Sequence, residues 1–586
     1  MRPVPSRNHH WAVLALVVIA GGNTVLSFRQ RNISGDQANM LAEVYKTREP
    51  GLYPRDGVFA DAGPGAPWRA RLPSWRWALG TAMRIGGEPD PLNGFRLLGA
   101  AAATGYLLFM YLLLYRQTRS TGIAFLVAVV STAIFSTKRP AWGVGPIFAV
   151  TPATMVVAFT PLAVTLFVHS HRKWIVPGVF LLVGLLGNIH LSSAANLAVV
   201  LLAALVALGR ARPSAWARAA ACAPAALIGA APALLYYSRT VRAAAPQTPH
   251  LPVAEVAGML KLGRIDVLYP SVVTEFLRWL PMAAVLAIPA AIILFRAGRY
   301  RIRQQAVWFW LLGGALAVAL GAQGLSQLVG RLRGTPPPVI EFFGALRLAM
   351  LPLYVFFAQA AVHLYRQTRQ HPLLIRAGLV VFAVVYLGSS FNTRALRHMV
   401  RDRVAALAEA DGDGEPARPG TNGDRPSDGP PAGVPDEGDR HEELAALAAW
   451  LGRDGNTPRD ALVITEEEGV RAYGRRSVLC CPGDVRYLYH LAPGRLEDWA
   501  ECLRRQRALL KPPESIRADP ANIGEFADGL APPAGDGTGP VYVLLPTEKA
   551  PSAPGRLVEV RAPEGLWGRR WRLYRLLGPE PADARD

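Results

Sequence analysis

Charged residues are scarce in this chain of 586 residues. They make up 18% of it, whereas hydrophobic residues make up 51%. Soluble domains are roughly one quarter charged, so the composition argues against a protein that is soluble throughout. The net charge of +20 does not indicate nucleic acid binding. The basic residues lie between hydrophobic segments, where orientation signals and lipid headgroup contacts occur.

Cysteine is also rare, with four residues in the whole chain. They form no pair of CxxC motifs, which excludes a zinc site of that spacing. Cys222 lies in a hydrophobic segment and is interpreted as inert packing. Either Cys480 or Cys481 could form a bridge with Cys502 if their domain lies outside the cytoplasm. Free buried thiols are the alternative, and the sequence does not choose between them.

Long hydrophobic runs, by contrast, are abundant. "WAVLALVVIAGGNTVLSF" and "WIVPGVFLLVGLLGNIH" each approach the ~20 residues that cross a bilayer. About eleven such segments occur up to residue 391. The pattern predicts an α-helical polytopic membrane protein. Residues 1–28 read as a retained signal anchor, because no clear cleavage site follows the first run.

Arginine-rich loops alternate along the chain and predict its orientation. The positive-inside rule places these loops and the N-terminus in the cytoplasm. Residues 29–95 then form an outer loop with amphipathic surface helices, and 96–391 form the transmembrane domain. With eleven crossings, the remainder is extracytoplasmic. The basic loops are 115–120, 169–174, 209–218, 295–305 and 364–372.

Two different regions follow the last hydrophobic segment. Residues 409–440 are rich in Pro, Gly and Asp, a composition that predicts a disordered linker. Residues 441–586 contain two amphipathic stretches and five short apolar runs, which predict a small α/β domain. The runs are "ALVIT", "SVLCC", "VYVLL", "RLVEV" and "RWRLYRL". This domain lacks the GxGxxG, GxxxxGK[ST], GxSxG and HExxH motifs.

The stretch "ISGDQANMLAEVY" (33–45) predicts a short helix on the outer membrane surface. Ser34 and Gln37 have the spacing of a capping box. The apolar residues share one face, and Asp36, Asn39 and Glu43 follow its edge. One interpretation is that Asp36 only suits the helix dipole and that Glu43 is solvated. The other is that Asp36 is a general base at the membrane surface.

The same stretch, "SGDQANMLAEVY", resembles the start of the first outer loop in GT-C membrane glycosyltransferases. "GLYPRDGVF" (51–59) and "WLGRDGNTPRDALVIT…RAYGRRSV…LEDWAECLRR" resemble further parts of such bacterial proteins. The resemblance implies a GT-C-like fold, a polyprenyl-phosphate sugar donor, and Asp36 as catalytic base. Glu43 or Asp56 would be a second acidic or acceptor-binding residue. No metal ligands are assigned, and a divalent cation is an open alternative.

Further polar residues lie where the predicted outer loops meet membrane segments. His190 would bind a phosphate or a sugar hydroxyl, or else cap a helix end. Arg347 is a candidate for the donor phosphate, because a guanidinium contacts phosphate in two places. Glu341 belongs to the same region and could instead pair with Arg347. Lys138 and Arg139 are an alternative phosphate clamp, with interfacial snorkelling as the other interpretation.

The sequence thus predicts a GT-C glycosyltransferase in a bacterial inner membrane. Its partners would be a polyprenyl-phosphate-linked sugar, the lipid bilayer, and an extracytoplasmic glycan, lipid or protein acceptor. Two alternatives stay open. The first is a transporter or flippase, which would need polar residues at the membrane midplane. The second is a noncatalytic envelope scaffold with an outer binding domain.

Overall fold

The computed structural model describes most of the chain, from residue 7 to residue 577 with gaps. Lys138, Arg139, Glu341, Ser34 and nearly all of the predicted linker lie outside the described residues. The described ranges are 7–29, 35–87, 90–134, 150–169, 175–209, 212–244, 253–263, 272–296, 304–333, 342–367, 372–390, 437–453, 455–510, 519–528, 539–551, 555–561, 563 and 567–577.

Helices dominate the first two thirds of the chain. They are α1 (Arg7–Arg29), α2 (Gly35–Arg48), α3 (Pro73–Gly86), α4 (Leu92–Thr118), α5 (Thr121–Val130), α6 (Pro152–His169), α7 (Ile175–Gly187), α8 (Leu191–Leu208), α9 (Pro213–Ala244), α10 (Val253–Leu262), α11 (Val272–Arg296), α12 (Gln305–Leu316), α13 (Gln323–Arg333), α14 (Leu346–Gln367) and α15 (Pro372–Gly388). A π-helical segment, Ala317–Ala322, joins α12 to α13.

Within the described ranges, seven helical segments are long and apolar enough to cross a membrane. They comprise α4, α6, α8, α9, α11, the run from α12 into α13, and the segment that includes α14. Four shorter apolar helices occur in α1, α5, α7 and α15. Large apolar side chains stay exposed on their outer surfaces, such as Ile228 at 68% and Val385 at 65%. Such surfaces suit contact with lipid rather than with water, so the chain is a multi-pass membrane protein. The count of about eleven spans stays a prediction.

The C-terminal part is an α/β domain that contains all five predicted strands. Its sheet has the order β2-β1-β3-β5-β4, with β1, β2 and β3 parallel and β4 and β5 antiparallel to their neighbours. The elements are α16 (Glu437–Gly452), β1 (Leu462–Ile464), α17 (Gly469–Gly474), β2 (Ser477–Val478), α18 (Val485–Leu491), α19 (Leu496–Leu510), α20 (Pro520–Asp528), β3 (Val541–Pro546), β4 (Leu557–Val560) and β5 (Trp571–Leu576).

The central strand β3 is buried on both faces. Tyr542 and Leu544 pack into a core with α16, whereas Val543 and Leu545 pack into a second core with α20. Alternate residues of a strand point to opposite faces, which explains why "VYVLL" is apolar without interruption. Helix α16 begins at Glu437, four residues before the predicted domain boundary.

The segment between α1 and α4, predicted to be the first outer loop, packs directly against the C-terminal domain. Arg471 of α17 is fully buried and reaches both Asp56 and Asp484. Its Nε donates to Asp56 Oδ2 at 2.8 Å, and its Nη1 donates to Asp484 Oδ1 at 2.5 Å. Asp56 also accepts hydrogen bonds from the backbone amides of Val58 and Val478. Each charge is therefore paired and hydrogen-bonded, as buried charges must be.

Helix α2 is consequently an interior helix, with its polar edge covered as well as its apolar face. Met40, Leu41 and Val44 are buried, as predicted, but so are Asn39 and Glu43 on the polar edge. The sequence pattern predicts that this polar edge faces water or a cavity. The structure differs because α17 and α18 cover this edge and supply partners for its polar groups.

Candidate functional site

Helix α2 carries two carboxylates on one face. Asp36 lies in the first turn, and Glu43 follows seven residues later, about two turns along the helix. The Asp36 side chain is 25% exposed, whereas that of Glu43 is completely buried. The interpretation of Glu43 as an ordinary solvated residue is therefore wrong. The two groups instead mark the outer and inner ends of one polar site.

Arg71 joins these carboxylates. Its Nη2 donates to Asp36 Oδ1, and its Nη1 donates to Glu43 Oε1 at 2.8 Å. Arg71 precedes α3 and lies in the same outer loop as α2. A guanidinium has donors on two edges of a rigid plane and can hold both carboxylates at a fixed spacing.

The C-terminal domain completes the site from the other side. Tyr487 OH donates to Glu43 Oε1 at 2.5 Å, and Arg71 Nη1 donates to Tyr487 OH at 3.0 Å. The Arg71 guanidinium also lies over the Tyr487 ring, 5.3 Å from its centroid. The neighbouring Arg486 contacts Asp36 Oδ1 through Nη1 at 2.9 Å. Two segments more than 400 residues apart in sequence thus build one site.

The two carboxylates differ in their acidity. Burial opposes the charge on Asp36, but Arg71 and Arg486 outweigh that effect and lower the pKa of Asp36. For Glu43, burial dominates over Arg71 and Arg76 and raises the pKa. Among the described residues, Glu43 Oε2 is buried without a hydrogen-bond partner. Asp36 is thus held ionised near solvent, whereas Glu43 binds a proton more readily.

His190 caps helix α8 beside this site. The backbone amide of Ser193 donates to its Nδ1 at 3.2 Å, the capping role that the sequence left as one alternative. Burial and the charges of Arg347 and Arg71 together lower the pKa of His190 to about 4, against the effect of Asp36. A neutral imidazole thus lies within electrostatic reach of both the Asp36–Arg71 pair and the Arg347 cation.

The other candidates divide into two groups. Asp56 is buried in the network with Arg471, so its carboxylate has a structural contact, and its role in acceptor binding stays a prediction. Its carboxylate must balance a buried cation, which explains why it is fully paired. Lys138, Arg139 and Glu341 lie outside the described residues, and their roles stay predictions.

Metal ligands do not cluster in the part of the chain that the structure describes. No group of three or more His, Cys, Asp or Glu side chains there is arranged to hold an ion. The carboxylates of α2 are instead neutralised by arginines. A divalent cation therefore stays an open prediction.

Sequence reasoning missed Arg71, Arg486 and Tyr487. Arg71 is one of several arginines in a long loop, and Arg486 and Tyr487 belong to a domain without a recognised motif. Spacing within a helix relates Asp36 to Glu43, but no local pattern relates α2 to a tyrosine 444 residues away. One sequence signal relates the two regions: "RAYGRRSV" and the first outer loop both resemble parts of the same type of protein.

Comparisons with known proteins give distant structural similarities. No protein-family model matches the sequence, and no curated protein matches it. Three solved structures of archaeal oligosaccharyltransferase from Archaeoglobus fulgidus align with 92–93% of this chain and 69–70% of their own. One is tethered to an acceptor peptide containing the NVT sequon, one contains an inhibitory peptide and dolichol-phosphate, and one is the apo form. Identities are 11–12% and TM-scores are 0.39, 0.41 and 0.42 respectively.

Proposed function

We propose that this chain is an integral membrane glycosyltransferase of the GT-C type. It transfers a sugar from a polyprenyl-phosphate donor to an acceptor outside the cytoplasm. The observation that carries the proposal is the Asp36–Arg71–Glu43 arrangement, which Arg486 and Tyr487 complete from the C-terminal domain. A solvent-reachable carboxylate among arginines suits a reaction that removes a proton and releases a phosphate.

Asp36 is the proposed base. Its pKa is lowered, so Asp36 is ionised at neutral pH, and the ionised carboxylate is the form that accepts a proton. Both arginine contacts fall on Oδ1, and the side chain is partly exposed. The acceptor nucleophile would lose its proton to Asp36 as its bond to the anomeric carbon forms. Glu43 has a supporting role, since it is buried and holds Arg71 together with Tyr487.

Arginines would stabilise the departing phosphate. The bond between the anomeric carbon and the phosphate oxygen breaks, and negative charge develops on the lipid phosphate. Arg347 is the proposed contact because it lies in the first turn of a long membrane helix, α14, and within electrostatic reach of His190. A neutral His190 adds no second cation there, which leaves the anion to Arg347 and the site arginines.

The proposed location is the outer face of a bacterial inner membrane. Contacts among the first outer loop, the α7–α8 turn and the C-terminal domain support this location, because all three are predicted to lie on one side of the membrane. Ser74 Oγ donates to the Asn188 carbonyl and ties the outer loop to that turn. Reporter fusions after residue 577 should be active only with an extracytoplasmic reporter. Activity only with a cytoplasmic reporter would contradict the orientation.

The substitution Asp36→Asn tests the function. It keeps the size of the side chain but removes the proton acceptor, so sugar transfer should fall about 10²–10⁴-fold. The assay is transfer from a synthetic polyprenyl-phosphate sugar in reconstituted membranes, with and without a metal chelator. Asp61→Asn is the matched control, because Asp61 lies in the same loop but is half exposed and pairs with Arg495.

A third variant identifies the base. Glu43→Gln should weaken the hold on Arg71 and lower the rate less than Asp36→Asn does. The assignment of Asp36 is wrong if Asp36→Asn keeps most of the wild-type rate while Glu43→Gln is inactive. If the folded wild-type protein transfers no sugar from any donor tried but moves a lipid across the bilayer, the flippase alternative replaces the proposal.

A further inference from the structure

Two of the four cysteines face each other in the C-terminal domain. Cys480 follows strand β2, and Cys502 lies in the middle of helix α19. Their Sγ atoms are 3.1 Å apart, and both thiols are free in this structure. Cys480 is buried, whereas Cys502 is partly exposed. A small shift of the two side chains would bring these sulfur atoms to the disulfide bond length of about 2.05 Å.

Cys481 points away from this pair. Its thiol lies in the core between the sheet and α16, 3.9 Å from the Thr465 carbonyl. Cys480 instead belongs to the core shared with the outer loop, against which Cys502 packs. Neighbouring residues of an extended chain point to opposite sides. The geometry therefore identifies Cys480 and not Cys481 as the thiol that faces Cys502, a choice that the sequence leaves open.

We propose that Cys480 and Cys502 form a disulfide in the mature protein. Disulfides form and persist outside the cytoplasm, so this inference rests on the outward orientation proposed above. It does not depend on sugar transfer. The bond would close a loop between residues 22 apart, and that loop contains Arg486 and Tyr487. It would thereby restrict the segment that completes the Asp36–Arg71–Glu43 site.

The bond would form by exchange with a disulfide-carrying oxidant. Cys502 is the accessible thiol, and its hydrogen bond with Cys480 lowers its pKa, which favours the attacking thiolate. Attack on the oxidant gives a mixed disulfide and releases one oxidant thiol. The Cys480 thiolate then displaces the second oxidant thiol. Two protein thiols lose two protons and two electrons, and the oxidant is reduced to a dithiol.

Mass spectrometry of the full-length protein tests the proposal. Cells are quenched with N-ethylmaleimide, and the purified protein is digested with trypsin without reduction. The expected product joins SVLCCPGDVR (477–486) to LEDWAECLR (496–504) and disappears on reduction. The cross-link should persist in Cys481→Ser and be lost in Cys480→Ser, which separates the two candidates in one peptide. Cys222 should be alkylated only after denaturation.

Topology measured on the same sample separates the two proposals. Reduced Cys480 and Cys502 together with an extracytoplasmic C-terminus would overturn the disulfide and leave the orientation intact. Reduced thiols with a cytoplasmic C-terminus would overturn both. A link that survives in Cys480→Ser but not in Cys481→Ser would also overturn the assignment. A second measurement is thermal unfolding, where dithiothreitol should lower the melting temperature of wild type but not of Cys480→Ala/Cys502→Ala.

Discussion

At the residue scale, the carboxylates near α2 differ because their partners differ. Asp36 has two arginines and a lowered pKa, whereas Glu43 shares one arginine and has a raised pKa. The carboxylate of Glu468, a residue of the C-terminal domain, lies against the first residue of α2, because a Cβ built on Gly35 would clash with it. Its Oε1 accepts from the Gly483 amide at 2.8 Å, and its Oε2 is buried without a partner among the described residues.

Glu468 should make stability depend on pH. Burial and the nearby charge of Asp484 raise its pKa from 4.5 to about 7, despite the opposing Arg471. The folded state therefore retains a proton that the unfolded state loses above pH 4.5. The stability that this proton contributes is present below that pH and is lost as pH rises through about 7.

The substitution Glu468→Gln, which mimics the protonated form, tests this dependence. At pH 8 the variant should be more stable than wild type by up to about 3 kcal/mol, and the difference should shrink towards pH 5. Thermal unfolding in detergent across this range provides the measurement. Glu501→Gln, an exposed position on α19, should show no such trend. A difference that grows as pH falls would contradict the raised pKa.

At the scale of elements, two membrane helices approach each other closely at glycines. A Cβ built on Gly184 of α7 would lie 2.1 Å from the Ala226 carbonyl oxygen of α9. One built on Gly229 of α9 would lie 2.4 Å from the Leu181 carbonyl oxygen. Small residues allow such backbone contact in membranes. Helix α7 is short for a full span, so its position depends on this packing.

The substitution Gly184→Ala should force α7 away from α9, because the clashing atom belongs to backbone and cannot rotate aside. Overpacking of this kind typically costs about 1–3 kcal/mol. The measurement is the melting temperature in detergent by fluorescence-detected gel filtration. Gly178→Ala is the matched control on the same helix, since a Cβ there meets nothing within 4 Å. Equal melting temperatures for the two variants would show that the close contact is unimportant.

At the scale of the whole molecule, the C-terminal domain is held by direct contacts with the outer loop as well as by its linker. The linker composition predicts disorder over 409–440 and suggests that proteolysis would release the domain. The structure leads us to expect retention instead. Arg471 pairs with Asp56 across the interface, and Tyr53 OH donates to the Arg471 carbonyl at 2.9 Å.

Limited proteolysis should therefore cut the linker without releasing the domain. The C-terminal fragment of wild type should co-elute with the membrane part in gel filtration. Arg471→Met should release it, because Asp56 and Asp484 would be left as unpaired buried carboxylates, at a cost of about 3–5 kcal/mol. Arg504→Met, on the exposed face of α19, is the control that should retain it. Protection of residues 409–436 from cleavage would contradict the linker prediction.

Local patterns predicted the elements well. The amphipathic spacing of Met40, Leu41 and Val44 predicted α2 and its buried face, and five apolar runs predicted five strands. The site was predicted only in part. Asp36 and Glu43 follow from one helix, but their partners Arg71 and Tyr487 do not, because their proximity arises when distant segments pack.

The sequence by itself determined that this protein crosses a membrane repeatedly and ends in a separate α/β domain. Hydrophobic length and strand periodicity are local properties, and the bilayer and the sheet impose them on each segment independently. Only the tertiary structure decided that Glu43 is buried, that Asp56 pairs with Arg471, and that Cys480 faces Cys502. Burial, charge pairing and thiol proximity depend on which surfaces meet, and that choice is made by the packing of the whole chain.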